Sequence, residues 1–320
     1  MNCAIVIATY NRGQRIRDTI ESVLQQSRPV DEFVIVDDGS TDSTASWIRE
    51  NFPSVAIVEK VNGGTSSARN AGASFAKSDW LIFLDHDDIL LPNAVETLDR
   101  LLSNFPEAGS GHCDHKLHYI DKNVVIENHH YSTESFARLR KLVAVREVGS
   151  ARLLASGLYR SLLRGNLLQQ PWIVRKEVFQ RVGGFASDVR YCEDWDIYLR
   201  IAQEYPVVVS DEVISIHRVD GENLHLTCHW KQFEMYERTL CRRSASHSWL
   251  QWQENRIVRT KMAYMSKARG DKAFQDKKLP DAWRHYWRSY MWWPFDPMVL
   301  ARLLLWLPQS AILKGVRRGI

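Results

Sequence analysis

Trp80-Leu81-Ile82-Phe83-Leu84-Asp85-His86-Asp87-Asp88 is the stretch on which the fold reading turns. A short, wholly apolar run that stops abruptly at acidic residues predicts a buried strand, Trp80–Asp85, whose end delivers several carboxylates together at a sheet edge. Three similar runs precede it, at Ala4–Ala8, Phe33–Asp37 and Ala56–Glu59, separated by amphipathic segments. The first of these segments predicts a helix from near Gln14 that turns Ile16, Ile20, Val23 and Leu24 to one face and stops at Pro29. The next follows the capping residues Ser40-Thr41-Asp42 and turns Ala45 and Ile48 inward. Alternation of this kind over residues 1–102 is that of βαβ units around a mostly parallel sheet.

Beyond Asp88 the alternation weakens. Asn93–Leu102 reads as a helix, and His112–Tyr119 with Val124–His129 as a hairpin turning at Asp121-Lys122-Asn123, an inserted antiparallel element. Residues 132–170 are basic, loop-like and interrupted by Gly149, Gly157 and Gly165, a composition suited to a mobile cover. A helix from Trp195 to about Gln203 and a strand Val207–Ser210 follow, and helical patterns fill most of the remainder. The expected organisation is a catalytic region over 1–225, divided at residue 102, and a basic, Trp-rich helical region over 226–320.

A chain of 320 residues, 45% hydrophobic and 25% charged, can bury one large core or a core with an appendage, which argues against disorder. Five scattered cysteines, Cys3, Cys113, Cys192, Cys228 and Cys241, without a Cys-x-x-Cys pair, suggest neither a disulfide framework nor a zinc finger, and are read as reduced thiols of a cytoplasmic protein. The apolar run Cys3–Ala8 is too short for a secretory signal. The net charge of +4 conceals an asymmetry: residues 256–320 carry 14 Lys/Arg against 4 Asp/Glu, leaving the first 255 residues at −6. The basic end seeks an anionic partner. A nucleic-acid partner is not expected.

Ligands of a parallel sheet gather beyond the carboxyl ends of its strands. Here the strands end at Thr9-Tyr10-Asn11, at Asp37-Asp38-Gly39-Ser40 and at Asp85-His86-Asp87-Asp88. The crowded carboxylates at 85–88 repel one another, and a hard divalent cation, Mg²⁺ or Mn²⁺, relieves that repulsion while keeping places for phosphate and water. Asn62-Gly63-Gly64-Thr65-Ser66-Ser67-Ala68-Arg69-Asn70 is a small-residue loop opening a helix, where backbone amides and Arg69 meet an anion. Glu193-Asp194-Trp195-Asp196 begins a helical stretch. Each cluster alone has an ordinary alternative: a solvated turn, a cap, or a carboxylate complementing a helix dipole.

Ala8-Thr9-Tyr10-Asn11, Val36-Asp37-Asp38-Gly39-Ser40-Thr41-Asp42, Ala68-Arg69-Asn70-Ala71-Gly72, Phe83-Leu84-Asp85-His86-Asp87-Asp88 and Gly183-Gly184-Phe185 with Glu193-Asp194-Trp195-Asp196, in this order, resemble family 2 glycosyltransferases. The resemblance covers about residues 1–225 and implies the GT-A fold, a Rossmann-like sheet carrying a small antiparallel sheet. It implies an inverting transfer from a nucleotide-sugar donor, in particular a UDP-sugar, to a hydroxyl of a glycan or lipid-linked acceptor, as in surface polysaccharide or lipopolysaccharide synthesis. By similarity Thr9, Tyr10 and Arg12 flank base and ribose. Asp38, with Asp37 as second choice, accepts a hydrogen bond from the base, and Arg69 lies near base or diphosphate. Asp85 and Asp87 match the Asp-x-Asp motif, the second carboxylate binding Mn²⁺ or Mg²⁺ and the first tending toward ribose and metal-bound water. Asp194 matches the catalytic base, supported by Glu193. The family's Arg-x-His closing element is altered: Ile216-His217-Arg218-Val219-Asp220 offers Arg218 at the arginine position, Asp220 at the histidine position, and His217 only by a register shift.

His112, His115 and His118 lack zinc-like spacing and are read as a strand-borne, partly exposed set. At the C-terminal end Trp283, Tyr286, Trp287, Tyr290, Trp292, Trp293 and Trp306 stand among Arg284, Arg288, Arg302, Lys314, Arg317 and Arg318. The apolar run Met298–Leu307 is shorter than the ~20 residues that span a bilayer. Two readings stay open: peripheral attachment of 281–320 to an anionic membrane surface, or a helical appendage whose tryptophans pack on the catalytic region. Two other functions compete. A nucleotidyltransferase needs a Gly-rich basic triphosphate loop after the first strand, for which Thr9-Tyr10-Asn11-Arg12-Gly13 is poorly suited. A non-catalytic nucleotide-sugar or glycan-binding module sits badly with the retention of both Asp87 and Asp194. The walls that select sugar and acceptor, 110–170 and 186–192, carry no readable code.

Overall fold

The structure is a computed structural model that describes residues 1–127, 139, 141–155, 157–168, 170–189, 192–219, 249–294 and 296–304. The chain divides into two compact units, Met1–Leu226 and Thr227–Ile320.

Among the described residues unit 1 holds eleven strands: β1 (Cys3–Thr9), β2 (Glu32–Asp37), β3 (Ala56–Glu59), β4 (Trp80–Asp85), β5 (Ile89–Leu90), β6 (Ser110–Tyr119), β7 (Val124–Ile126), β8 (Arg146–Val148), β9 (Ala151–Leu154), β10 (Trp172–Arg175) and β11 (Val207–Val219). Its helices are α1 (Arg17–Leu24), α2 (Thr44–Asn51), α3 (Thr65–Phe75), α4 (Ala94–Asn104), α5 (Leu158–Leu162), α6 (Lys176–Arg181) and α7 (Glu193–Glu204). The sheet runs β3-β2-β1-β4-β10-β6-β11-β9-β8, with β5 on β11 and β7 on β6. β3, β2, β1 and β4 are mutually parallel, as are β6 and β11, while β10 lies antiparallel between β4 and β6. This is the expected mostly parallel α/β architecture with an antiparallel portion.

β1 and β4 are apolar on both faces because both are covered, as parallel strands between helices must be. On one face Ile5, Ile7, Ile35, Ile82 and Leu84 meet Ile16, Ile20, Val23, Leu98 and Leu101. On the other, Val34 and Val36 meet Ala68 of α3. There α3 lies so close that a Cβ on Gly72 would stand 2.4 Å from Cγ1 of Val6.

The strands read as Ala56–Glu59 and Trp80–Asp85 have those bounds. The first helix differs. Residues Gly13–Ile16 form a 3₁₀ turn, α1 starts at Arg17 and ends at Leu24, well before Pro29, and Leu24 is exposed because it falls just outside the buried Ile16–Ile20–Val23 stripe. The hairpin turn at 121–123 is present, with Asn123 in the left-handed conformation at φ 50°, but β7 ends at Ile126. Residues 132–170 are not simply loop: β8, β9 and α5 lie within them, with Leu158 and Leu162 buried. His112 and His115 are buried rather than partly exposed, since β10 and β11 flank β6 on either side. His118 alone is half-buried.

Unit 2 is described through three helices, α8 (Trp249–Gln275), α9 (Leu279–Trp292) and α10 (Pro297–Leu304). Ala273, Ala282, Tyr286, Val299 and Leu303 form its core. No described helix is long and apolar enough to cross a membrane. Asp220, Cys228, Cys241, Trp306, Lys314, Arg317 and Arg318 lie outside the described residues.

Candidate active site

The strand register brings three clusters to one edge. Thr9 stands opposite Asp37 across β1 and β2, and Ala8 opposite Asp85 across β1 and β4, so the ends of three adjacent strands align. Beyond β2 the chain turns at Gly39, whose φ of +75° and close approach to the Asn62 amide exclude a side chain. Asn11 reaches across this turn: its backbone N–H donates to Ser40 Oγ (2.9 Å) and its side-chain oxygen accepts from the Thr41 N–H (2.8 Å). Thr44 Oγ1 accepts the N–H groups of Arg12 (3.0 Å) and Gly13 (2.8 Å). Thr9 is buried and Tyr10 is exposed beside it.

Asp37 and Asp38 are both buried, and their carboxylates are occupied by the protein itself. Asp37 accepts from the Ser40 hydroxyl. Asp38 takes Lys60 Nζ at 2.6 Å and the N–H groups of Gly63 at 3.0 Å and Gly64 at 2.7 Å, so it shapes the 60–64 loop. A base reaching Asp38 would compete with that loop for the same lone pairs.

The crowding of carboxylates at 85–88 is relieved largely by protein cations from distant parts of the chain. Arg69, buried on α3, donates to Asp85 at 2.6 Å with one nitrogen and to Glu193 at 2.9 Å with another. Burial opposes the charge on this guanidinium, but Asp85 and then Glu193 outweigh it and hold its pKa above the ordinary arginine value. Asp88 is fully buried against His217, with Nδ1 at 3.0 Å from Oδ1. Burial pushes the Asp88 carboxyl up to about 6 in spite of that histidine. Burial would likewise depress the His217 imidazolium, but the Asp88 carboxylate reverses this and holds it at about 9. Arg218 secures the same turn, donating through Nε to the Asp87 carbonyl and through Nη1 to Asp18 at 2.8 Å. His217 and Arg218 thus brace the acidic turn from β11.

Asp87 differs from its neighbours. Its carboxylate is partly exposed and stands 4.0 Å from His86 Nε2. Among the described residues no three or more His, Cys, Asp or Glu side chains are grouped as a complete metal cage. Mg²⁺ and Mn²⁺ commonly take one or two protein carboxylates and complete their shell from phosphate and water, so Asp87 with Asp85 fits a partial, hard-oxygen site.

The helix α7 begins with Glu193, Asp194 and Asp196 in its first turn, where the helix dipole favours negative charge. Asp196 turns inward to an ion pair with Arg200 (2.7 Å). Asp194 accepts the Trp195 N–H at 2.7 Å through Oδ1, and Asn166 Nδ2 stands 3.5 Å from its other oxygen. Because Glu193 and Asp85 share one guanidinium, the start of α7 and the end of β4 lie side by side.

Sequence reasoning missed Asn166, Gln170, Lys60 and Asp18. Gln170 joins the clamp: with its side-chain amide oriented to satisfy both neighbours, its nitrogen donates to Asp85 Oδ1 and its oxygen accepts from Arg69 Nη2, each at 3.0 Å. Both amides lie on a segment anchored by the buried Leu167 and Leu168. Two amides flanking two leucines just before a short apolar run carry no recognisable signal. Asp88 was visible as a carboxylate, but its burial was not.

The architecture is shared with proteins whose structures hold nucleotide-sugars. S. aureus TarS, residues 1–349 in complex with UDP-GlcNAc, superposes with a TM-score of 0.63 at 15% identity over 95% of this chain and 84% of that one. The mannosyltransferase PcManGT from Pyrobaculum calidifontis, in complex with GDP-Man and Mn²⁺, gives 0.56 at 17% identity over 98% and 80%. At such identities the likeness is one of fold. The shared fold is GT-A-like. More narrowly, residues 4–144 match the model of Glycosyl transferase family 2, and an uncharacterised glycosyltransferase of Haemophilus influenzae is 28% identical over 202 residues. That alignment takes in 63% of this chain and 62% of the relative's length. Family match, relative and fold together support a family 2 glycosyltransferase.

Proposed function

We propose that the protein transfers a sugar from a nucleotide-diphosphate sugar, most simply a UDP-sugar, to an acceptor hydroxyl with inversion at the anomeric carbon. The observation that carries this reading is Arg69, whose guanidinium binds the carboxylate at the end of β4 and the one beside Asp194 at once. This ion-pair bridge supports a reading in which Asp85 serves the donor and Asp194 the acceptor at one site. The TarS and PcManGT structures, which hold UDP-GlcNAc and GDP-Man, favour a nucleotide-sugar donor.

In this reading unit 1 carries the chemistry. Thr9, Tyr10 and Arg12 flank base and ribose, and Asp37 and Asp38 act through the turn and loop they shape. Asp85 faces the ribose and, with Asp87, offers ligands for Mn²⁺ or Mg²⁺. The cation supplies neutralisation of the leaving diphosphate. Asp194 is the general base: it takes the acceptor proton as the acceptor oxygen bonds to the anomeric carbon and the bond to the diphosphate oxygen breaks on the opposite face. A single displacement of this kind inverts the configuration. Glu193 holds Arg69 so that neither neighbouring charge drifts toward Asp194. The acceptor is a glycan or lipid-linked saccharide of a surface polysaccharide or lipopolysaccharide pathway.

The reading is tested by incubating the protein with a panel of nucleotide-sugars and Mn²⁺ and following nucleotide release, with the product anomer assigned by NMR. Asp194→Asn should abolish transfer and leave donor binding intact. Asp87→Ala should remove the metal-dependent part of donor binding. Full transfer by either variant refutes its assigned role, and a retained anomer refutes the single displacement.

A further inference from the structure

We infer that the outer face of α9 is a docking surface for an anionic lipid bilayer. The rotation of this helix is set by its inner face. Tyr286 packs against Gly270 of α8, so closely that a Cβ there would meet the ring at 2.7 Å, and its hydroxyl donates to Asp271 at 2.7 Å. Ser289 donates to the Ala263 carbonyl at 2.8 Å, and Ala282 is fully buried. With 282, 286 and 289 turned inward, the residues four apart on the other side must face solvent.

Those residues are Leu279, Trp283, Trp287 and Met291, exposed by 40%, 41%, 46% and 66%. They form a column about 18 Å long at the helical rise. Trp283 and Trp287 stack with centroids 5.9 Å apart, and Tyr290 continues the stack 5.8 Å from Trp287. Beside this column runs a second, of Arg284 and Arg288, with exposed Lys277 and Lys278 leading into it. The helix's only acid, Asp281, pairs with Arg284 at 3.2 Å. Burial, then Arg269 and Arg288, lower the His285 pKa, a sign of how densely cations are gathered here.

An apolar aromatic column edged by arginine and lysine is the pattern of a helix lying in a bilayer surface, indoles among the headgroups and cations on the lipid phosphates. A second copy of the same face would oppose like charges, which disfavours self-association. A neutral protein groove would leave the basic column without a counter-charge. The helix is also too short to cross a bilayer, so it lies on the surface.

The test uses the full chain and vesicles of phosphatidylcholine, alone or with phosphatidylglycerol at about three to one. Co-sedimentation should occur with the mixed vesicles and weaken at high salt. The pairs Trp283→Ala/Trp287→Ala and Arg284→Glu/Arg288→Glu should each weaken it roughly tenfold or more. Melting curves check that the variants remain folded. If they do not, quenching of the unaltered protein's tryptophan fluorescence by brominated phosphatidylglycerol reads the same contact without mutation. Three results overturn the inference: no vesicle binding, binding that both folded variants retain, or a dimer in light scattering that the Trp pair dissolves while vesicles are ignored. None of these readouts involves a sugar donor, so the lipid contact stands or falls apart from the transferase reading.

Discussion

Arg69→Met tests the clamp on which the site is built. The side chain is only 5% exposed, and the carboxylates it holds, Asp85 and Glu193, are 20% and 19% exposed. Methionine keeps most of the volume but leaves those two acids uncompensated beside Asp194. Removing one partner of a fully buried charge pair costs about 3–5 kcal/mol, and partial solvent access to both acids puts the expectation at the lower end, about 3 kcal/mol. For a unit of this size each kcal/mol shifts the melting temperature by about 2–4 °C, so a fall of roughly 6–12 °C is expected. Thermal melts and urea titrations read this directly. A double-mutant cycle with Glu193→Gln should then return a coupling of about 1 kcal/mol or more, because the second change removes part of the repulsion that the first exposed. A melting temperature within 2 °C of wild type, with no coupling, would refute the placing of Arg69 as the counter-charge shared by Asp85 and Glu193.

Gln170→Leu should leave Asp85 short of a hydrogen bond and lower kcat of the transfer reaction more than it raises the donor KM; an unchanged kcat would make Gln170 a bystander. Gly72→Ala places a methyl 2.4 Å from Val6 and 3.0 Å from Val36, and overpacking of this sort should cost about 1–3 kcal/mol in urea unfolding. The thiols of Cys3 and Cys113 are buried, and burial raises both pKa values, so neither should react with a thiol reagent until the protein unfolds. Rapid native labelling at either position, mapped by mass spectrometry, would contradict their placement in the sheet. Chelation of divalent metal should weaken donor binding measured by calorimetry, while Asp87→Ala should bind donor equally with and without the chelator.

The parts legible from sequence are those set by local pattern. The run Trp80–Asp85 alternates with nothing and ends in charge, so its identity as a buried strand and the position of the acidic turn follow from a few residues. The fate of each carboxylate in that turn does not. Asp85 is answered by Arg69, Asp88 by His217 and the Asp87 carbonyl by Arg218, and two of these three come from β11, well over a hundred residues away. Local reading sees the repulsion and assigns its relief to a metal; the fold supplies most of the relief itself and leaves Asp87 the open carboxylate. β10 was invisible for a related reason. Its four residues, Trp172–Arg175, are too short to show a period, and only the sheet reveals that they lie between β4 and β6. The burial of His112 and His115 depends on that insertion and was missed with it.

β10 has a consequence for how the molecule comes into being. The flank of β4 that faces away from β1 is filled by residues 172–175, yet β4 itself is complete at residue 85. A nascent chain therefore carries Trp-Leu-Ile-Phe-Leu with one side of its backbone unpaired until some ninety further residues have left the ribosome. An apolar edge of that kind invites association with other strands. Fragments cut near residue 144 should thus be sticky and poorly soluble, and those extended past residue 219, where β11 also closes, should behave as a unit.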